Sequence, residues 1–326
     1  MLKNILKSSF ALSLALSLNT QAATEVVVIL DVSGSTAGLI SNWQDRIEAE
    51  VFDVFLAHDP DTRFGLASHI DFPFSPYGSS TDYPYKLEVP LTTDTSSIVE
   101  ALGSLSSGGG SDAEESQLEA IYQAFVGNGL DLNDNGDFTD LGDLQPQIMG
   151  WNGGNNTKII INFTNPLTYH NDPVEPNYPY VGVVNNPATL DDVMNIADSF
   201  PATYTLTDAP LPEASAILST STSAKGIEAT IDDMNALQNY TKEDEILSAK
   251  YSATIATPRF TTSATLTTAE KLATITDGAV LHIDRSLSGL SEVISTIIDL
   301  EDDKNGDCKF GETLIETPFS TYCIKV

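Results

Sequence analysis

A run of five apolar residues, Val26 to Leu30, lies near the start of the chain and limits the folds that are open to this sequence. The run shows no alternation of apolar and polar residues, which is typical of a strand covered on both faces in a parallel sheet. Asp31, Ser33 and Ser35 follow it directly. Because ligands of open parallel sheets bind at the carboxyl ends of the strands, we expect a binding site at these three residues.

The three side chains carry oxygen atoms at alternate positions, so an extended or turning backbone can point them the same way. One carboxylate and two hydroxyl groups form a hard ligand set, which suits Mg²⁺, Mn²⁺ or Ca²⁺ better than a soft metal. Serine and aspartate are also favoured at the N-terminus of a helix. The motif alone therefore leaves two interpretations open, a metal-binding loop and a helix cap.

Residues 1–22 have the features of a secretory signal peptide. Lys3 and Lys7 give a positive start, a largely apolar run follows at 10–18, and small residues precede a cleavage site after Ala22. We therefore expect an exported protein that is secreted, periplasmic or held at the cell surface. No other segment is long and apolar enough to span a membrane, so we expect no transmembrane segment in the mature chain.

The formal net charge is −31, from 46 acidic and 15 basic residues. Loss of the signal peptide removes two lysines and no acidic residue, which makes the mature chain more negative still. This charge argues against nucleic acid and anionic membranes as partners, and it favours bound cations or a salty medium. The acidic residues also keep an exported protein soluble, and both explanations apply.

Cys308 and Cys323 are the two cysteines of the chain, and both lie near its C-terminus. In an exported protein a disulfide between them is the natural interpretation. Closing so short a loop would contribute about 3 kcal/mol on the chain-entropy model. The bond would stabilise the tail and not the core.

The order of the predicted elements indicates a doubly wound α/β domain at 23–300, with a mostly parallel sheet and helices on both faces. We expect the antiparallel edge strand at Arg63 to Ile70, an insertion at about 207–265, and an acidic tail at 301–326. The predicted helices are 39–57, 98–105, 117–125, 190–200 and 287–300, and the further strands are 157–163 and 202–206, with a last one near 280.

Asp31-x-Ser33-x-Ser35 after a first strand resembles the metal-ion-dependent adhesion site (MIDAS) of von Willebrand factor A-type (VWA) domains. Within that superfamily the chain is most similar to the I-like domain of integrin β subunits. Three segments carry this likeness, namely Phe64 to Asp71 followed by Ser75-Pro-Tyr77, Asp112-Ala-Glu-Glu115, and the helix at 118–124. The resemblance covers residues 24 to about 166 and returns at 266–300. It implies a VWA fold.

The resemblance implies that Asp31, Ser33, Ser35, Glu115 and Asn165 hold Mg²⁺ or Mn²⁺ at a MIDAS-like site. Most A-type domains have threonine at the position of Glu115, and the family usually has aspartate at the position of Asn165. The neutral Asn165 lowers the charge of the site, and Glu115 partly offsets this loss.

The resemblance also implies a neighbouring Ca²⁺ site formed by Asp71, Asp112 and Glu115. At this second site, Glu114 stands where a proline carbonyl usually serves. Integrin β subunits bind a third, regulatory ion through an adjacent pair of aspartates. This chain has Gly38-Leu39 there, so we do not predict that ion.

Two acidic loops show the spacing of EF-hand-like Ca²⁺ sites. The predicted ligands of the first loop are Asp131, Asn133, Asn135, Asp137 and Asp140, with Gly136 at the turn. The predicted ligands of the second, in the tail, are Glu301, Asp303, Asn305, Asp307 and Glu312. A solvated acidic turn is the alternative for the first loop, and a loop held by the disulfide alone is the alternative for the second.

A protein-bound cation with an open coordination position can capture a carboxylate from a partner. We therefore expect an adhesion or ligand-binding protein, not an enzyme, whose partner is a protein or glycan that presents a carboxylate. The histidines, His58, His69, His170 and His282, show no catalytic spacing, and we interpret each as an ordinary surface or core residue. A calcium-stabilised structural protein and a metal-dependent hydrolase, which needs a general base, are the alternatives.

Overall fold

The computed structural model describes residues 23–154, 156–167, 169–170, 180, 182–209 and 267–304, and the backbone of 312–316 and 321–325. The predicted signal peptide, most of the predicted insertion and Cys308 lie outside these ranges. The signal peptide and the disulfide to Cys323 therefore stay predictions.

Six strands form the central sheet: β1 (Thr24–Asp31), β2 (Arg63–His69), β3 (Lys86–Thr92), β4 (Thr157–Phe163), β5 (Ala202–Thr207) and β6 (Ala279–His282). Their order across the sheet is β3-β2-β1-β4-β5-β6. The chain runs outward in one direction from β1 and in the other from β4, so the topological switch point lies between these two strands. The predicted doubly wound architecture is confirmed.

The antiparallel edge strand is β3, so its predicted position at Arg63 to Ile70 was wrong. β2 pairs in parallel with β1, because the helical segment between them supplies the crossover that parallel neighbours need. β3 pairs antiparallel with β2. Its residues Leu87, Val89 and Leu91 alternate with polar positions as in a half-buried strand, and Pro90 is tolerated at the edge of a sheet.

Seven helices accompany the sheet: α1 (Leu39–Ile47), α2 (Asp53–His58), α3 (Thr95–Ser104), α4 (Gln117–Val126), α5 (Leu190–Asn195), α6 (Thr268–Ile275) and α7 (Leu290–Lys304), counted over the described residues. A π-helical turn at Glu48–Phe52 joins α1 to α2, so the predicted helix at 39–57 is one continuous helical segment. None of the helices within the described ranges is long and apolar enough to cross a membrane.

Strand β1 is buried on both faces, which explains why its sequence does not alternate. Val26, Val28 and Leu30 face one hydrophobic core, which includes residues of α1, α2, α3 and α7. Val27 and Ile29 face a second core on the other side of the sheet, with residues of α4, α5 and α6. The two cores fix the position of β1 and hence of the loop that follows it.

Substitution of Ile161 by alanine tests the assignment of the first hydrophobic core. Ile161 lies in β4, is fully buried, and belongs to the first core. Because the substitution leaves a cavity, we expect the free energy of unfolding to fall by about 2–5 kcal/mol in urea titrations. Ile148→Ala is the matched control: Ile148 is 67% exposed, and we expect a change within about 0.5 kcal/mol. Equal effects of the two substitutions would contradict the assignment of the core.

Candidate metal centre

Asp31 ends β1 at the switch point, and its carboxylate is almost completely buried. Its Oδ1 accepts the backbone N–H of Ser33 at 2.8 Å, and its Oδ2 accepts the hydroxyl of Thr164 at 3.0 Å. The hydroxyl oxygens of Ser33 and Ser35 lie 3.0 Å apart. Ser33 precedes a short 3₁₀ helix at Gly34–Thr36, but its side chain makes no capping hydrogen bond. The loop therefore does not have the helix-cap arrangement that the motif left open.

A glycine-rich segment packs against this loop. The backbone N–H of Gly34 binds the carbonyl of Gly109 at 3.0 Å, and the N–H of Gly108 binds the carbonyl of Val32 at 2.9 Å. Gly110 has a positive φ of 69°, and a Cβ on it would lie 2.3 Å from Oε1 of Glu115. Glycine is therefore required for the close approach of this backbone to the Glu115 carboxyl.

Glu115 reaches the Asp31 loop from the segment just before α4 and is only 2% exposed. The Ser33 side chain forms a hydrogen bond with its carboxyl group. Its Oε2 atom is buried and has no hydrogen-bond partner among the described residues. Burial raises the pKa of Glu115 to about 10, and the negative charges of Asp31, Asp71 and Asp112 raise it in the same direction.

A second cluster lies beside the first and consists of Asp71, Asp112 and His170, whose potential ligand atoms lie within 4.8 Å of one another. Nε2 of His170 is 3.1 Å from Oδ2 of Asp112 and 3.6 Å from Oδ2 of Asp71. Oδ1 of Asp71 accepts the Phe72 N–H and the Tyr180 hydroxyl. Burial raises the pKa of Asp71 to about 8, against the effect of these two bonds.

The structure brings together Asp31, Ser33, Ser35 and Glu115 of the predicted MIDAS-like site. Asn165 was predicted to be the fifth residue of this site. The side chain that contacts Asp31 from this segment is instead that of the preceding residue, Thr164.

Four further residues of the two clusters were missed from the sequence: Thr164, Gln117, His170 and Tyr180. Gln117 donates its amide to the Thr164 hydroxyl at 2.7 Å and so orients it toward Asp31. The pairing of β1 with β4 accounts for the position of Thr164. Leu30 pairs with Phe163, so the residues that follow them, Asp31 and Thr164, lie side by side. No spacing in the sequence connects His170 or Tyr180 with Asp71.

The first acidic loop is closed by its own hydrogen bonds. The Asp131 carboxylate accepts the backbone N–H groups of Asn133, Asn135 and Gly136, and both asparagine amides donate to Asp140. An antiparallel bridge between Leu130 and Leu144 holds the two ends of the loop together. The carboxylate of Asp137, another predicted ligand, accepts the hydroxyl of Thr139. Calcium binding at this loop stays a prediction.

Of the residues predicted to bind Ca²⁺ in the tail, only Glu301 has a described side chain. It lies in the last turn of α7 and accepts hydrogen bonds from Tyr204 and Lys304. The backbone at 312–316 pairs antiparallel with that at 321–325. The side chains of the other four predicted ligands lie outside the described residues: Asp303, Asn305, Asp307 and Glu312. The tail site therefore stays a prediction.

No protein-family model matches this chain, and no curated protein matches it. Among solved structures, the chain is similar to the VWA domain of SpRpn10, with 12% identity, a TM-score of 0.30, and coverage of 58% of this chain and 76% of that one. It is also similar to the conserved hypothetical protein BatB from Bacteroides thetaiotaomicron, with 14% identity, a TM-score of 0.36, and coverage of 85% and 98%.

These scores are low, so the fold assignment depends on the topology of this chain. The sheet is doubly wound, its one antiparallel strand lies at an edge, and the Asp31 loop lies at the carboxyl end of a central strand. The described part of the chain is therefore a doubly wound α/β domain with one antiparallel edge strand. This topology is consistent with the VWA fold that the resemblance in the sequence implied.

Removal of divalent ions should make the stability of this domain fall as the pH rises. The pKa values of about 8 for Asp71 and about 10 for Glu115 lie well above their ordinary values of 3.8 and 4.5. The folded chain therefore retains protons that the unfolded chain releases. This contribution to stability is lost progressively from about pH 4 to about pH 8 for Asp71, and up to about pH 10 for Glu115. Urea unfolding in EDTA at several pH values would measure the decline.

The double variant Asp71→Asn with Glu115→Gln provides the comparison, because neither replacement titrates. We expect its stability to depend less steeply on pH than that of the parent chain. A parent profile that stays flat or rises over this range would contradict the assigned environments of the two carboxyl groups.

Proposed function

We propose that this protein captures an acidic group of a partner through a divalent cation held at the Asp31 loop, outside the cytoplasm. The observation that carries the proposal is the buried Oε2 atom of Glu115, which finds no hydrogen-bond partner in the described part of the chain, beside the buried carboxylate of Asp31. Leaving a buried acceptor unsatisfied costs about 1–3 kcal/mol, and more when it is charged. A cation at this position would compensate for that cost.

The residues present fit Mg²⁺ or Mn²⁺. Asp31, Ser33, Ser35 and Glu115 offer only oxygen atoms, which are the ligands these hard cations prefer. Binding would require the Glu115 carboxyl to lose its proton, and the cation would replace the proton as the source of positive charge. The neutral Thr164 and Gln117 would then orient Asp31 without adding further negative charge.

Small uncharged residues of the loops around the site are exposed, whereas its carboxyl groups are buried. The exposed residues are Gly34, Ser35, Gly109 and Ser111, and Asp31 and Glu115 are at most 2% exposed. When bound, the cation would supply a coordination position for a carboxylate of a protein or glycan.

The negative net charge of the chain gives a second reason to expect a cation where an acidic partner binds. A chain of formal charge −31 repels an acidic partner at long range. Local positive charge from the cation offsets this repulsion at one point of the surface. A binding role, rather than hydrolysis, is our proposal, and the export that it requires depends on the signal peptide expected at residues 1–22.

The first acidic loop, which is separate from the Asp31 loop, fits the calcium-stabilised structural alternative. The first acidic loop is an ordered ring of backbone and amide hydrogen bonds around Asp131 and Asp140. Ca²⁺ at this loop would stabilise the fold without any partner. Loss of the fold on chelation, with no capture of carboxylates, would favour this alternative.

Capture of carboxylate-bearing beads, with matched carboxamide beads as the reference, tests the proposal. We expect Mg²⁺-loaded protein to bind the carboxylate beads selectively at about 150 mM salt, where long-range repulsion is screened. EDTA and Asp31→Ala should each remove the selectivity, and Asp31→Ala should weaken Mn²⁺ binding at least about tenfold. Asp61→Ala, which removes an exposed carboxylate away from the site, should leave both unchanged.

Circular dichroism of each variant separates loss of binding from loss of fold. Selective capture that survives EDTA, or that Asp31→Ala leaves intact in a folded protein, would overturn the proposed function. Turnover of a model ester or phosphate that is lost in Glu115→Gln would favour the hydrolase instead.

A further inference from the structure

We propose that Asp71, Asp112 and His170 bind a transition-metal dication such as Zn²⁺, at a site separate from the Asp31 loop. The resemblance in the sequence implied Ca²⁺ at Asp71, Asp112 and Glu115, because it supplied carboxylates alone. The fold adds an imidazole that the spacing of the sequence did not connect with them. This second site does not depend on the capture of a partner at the Asp31 loop.

The positions of the three ligand atoms suit one shared ion. Two atoms that each bind Zn²⁺ at about 2.0–2.2 Å lie roughly 3.0–3.5 Å apart at octahedral or tetrahedral angles. Nε2 of His170 lies 3.1 Å from the nearer Asp112 oxygen and 3.6 Å from the nearer Asp71 oxygen. Small rotations of the side chains would bring all three atoms to bonding distance.

An unsatisfied atom points into the cluster. Asp71 is fully buried, and its Oδ2 has no hydrogen-bond partner among the residues that the structure describes. A single proton on Nε2 of His170 is directed to one acceptor at a time, and the Asp112 oxygen is the closer one. A simple ion pair therefore leaves the Asp71 oxygen without a bond, whereas a metal ion would bind all three groups.

The imidazole determines which class of ion fits. Ca²⁺ and Mg²⁺ are bound by oxygen ligands, whereas neutral imidazole is a ligand for Zn²⁺ and its transition-metal neighbours. One nitrogen and two carboxylate oxygens leave at least one position for water or another ligand. The donor set therefore favours Zn²⁺ over the Ca²⁺ expected from the sequence.

The surroundings hold the ligands in place as the outer shell of a metal site does. The hydroxyl of Tyr180 and the N–H of Phe72 both bind Oδ1 of Asp71, which leaves Oδ2 for the ion. The rings of Tyr77 and Tyr180 pack against the His170 imidazole, with centroids 4.9 and 4.4 Å away. The Asp112 side chain is 30% exposed and gives an ion access from solvent.

Calorimetric titration with Zn²⁺ in the presence of excess Ca²⁺ and Mg²⁺ tests this proposal. All proteins carry Asp31→Ala, so that the Asp31 loop does not contribute, and all are first treated with EDTA. We expect His170→Ala to weaken Zn²⁺ binding at least about 100-fold, since even outer-shell substitutions cost about 10- to 100-fold. His58→Ala removes a histidine that pairs with Asp302 at the surface and should leave the affinity unchanged.

Substitution with Co²⁺ provides a second readout, because its visible d–d absorption changes with the geometry and the ligands of the bound ion. We expect the absorption to appear in the Asp31→Ala protein and to be lost with His170→Ala. If His170→Ala does not fold, Asp112→Ala decides the question, because its side chain is partly exposed and its loss leaves the buried groups in place. It should weaken Zn²⁺ binding by a similar factor.

Three results would overturn the proposal. One is the absence of Zn²⁺ binding to the folded Asp31→Ala protein, which would mean that the cluster is an ion pair only. Another is equal Zn²⁺ affinity with and without His170 or Asp112. The third is displacement of Zn²⁺ by equimolar Ca²⁺, which would restore the calcium site expected from the sequence.

Discussion

Three buried acidic side chains repel one another at the carboxyl end of the sheet, and the surrounding structure compensates for this repulsion. Asp31, Asp71 and Glu115 are each at most 2% exposed. In the low dielectric of a protein interior, like charges so placed cannot all ionise without compensation. Hydroxyl and backbone donors satisfy some of their oxygens, and Oε2 of Glu115 and Oδ2 of Asp71 remain without a partner in the described ranges. These free oxygen atoms at the carboxyl end of the sheet are available to bind cations.

The rest of the fold holds this unfavourable arrangement in place. Two hydrophobic cores fix β1 from both faces, and β1 in turn fixes Asp31. From the other side of the loop, Arg285 donates hydrogen bonds to the backbone carbonyls of Ser35 and Ala37. The glycine-rich segment before α4 lets Glu115 approach to a distance that a Cβ at Gly110 would prevent. The favourable free energy of packing in the two cores thus offsets the electrostatic repulsion among the carboxyl groups at the carboxyl end of the sheet.

The sequence was sufficient for the fold class because buried parallel strands and amphipathic helices leave local patterns. The run Val26 to Leu30 and the strand at Thr157–Phe163 were found in this way. The edge strand β3 was missed because Pro90 interrupts an otherwise alternating pattern, and strand direction depends on the connection and not on the pattern itself. In the segment at 106–111, Gly108 and Gly109 form hydrogen bonds with the backbone of the Asp31 loop, a contact that no local pattern in the sequence indicates.

The site was predictable only where its residues fall within one motif. Asp31, Ser33 and Ser35 share a loop, and the resemblance added Glu115, Asp71 and Asp112. His170 and Tyr180 reach Asp71 through tertiary packing from about 100 residues further along the chain, and periodicity contains no information about such contacts. For this reason the sequence indicated calcium at a position where the fold supplies a nitrogen ligand.

Anomalous scattering from a crystal soaked in Mn²⁺ locates a bound ion without reference to any partner. We expect a strong peak within about 2.3 Å of an Asp31 oxygen, with hydroxyl groups of the Asp31 loop in the same shell. Glu115 should then take part directly or through a water molecule. A fully soaked crystal with no peak beside Asp31 would contradict the claim that this edge of the sheet is a cation site.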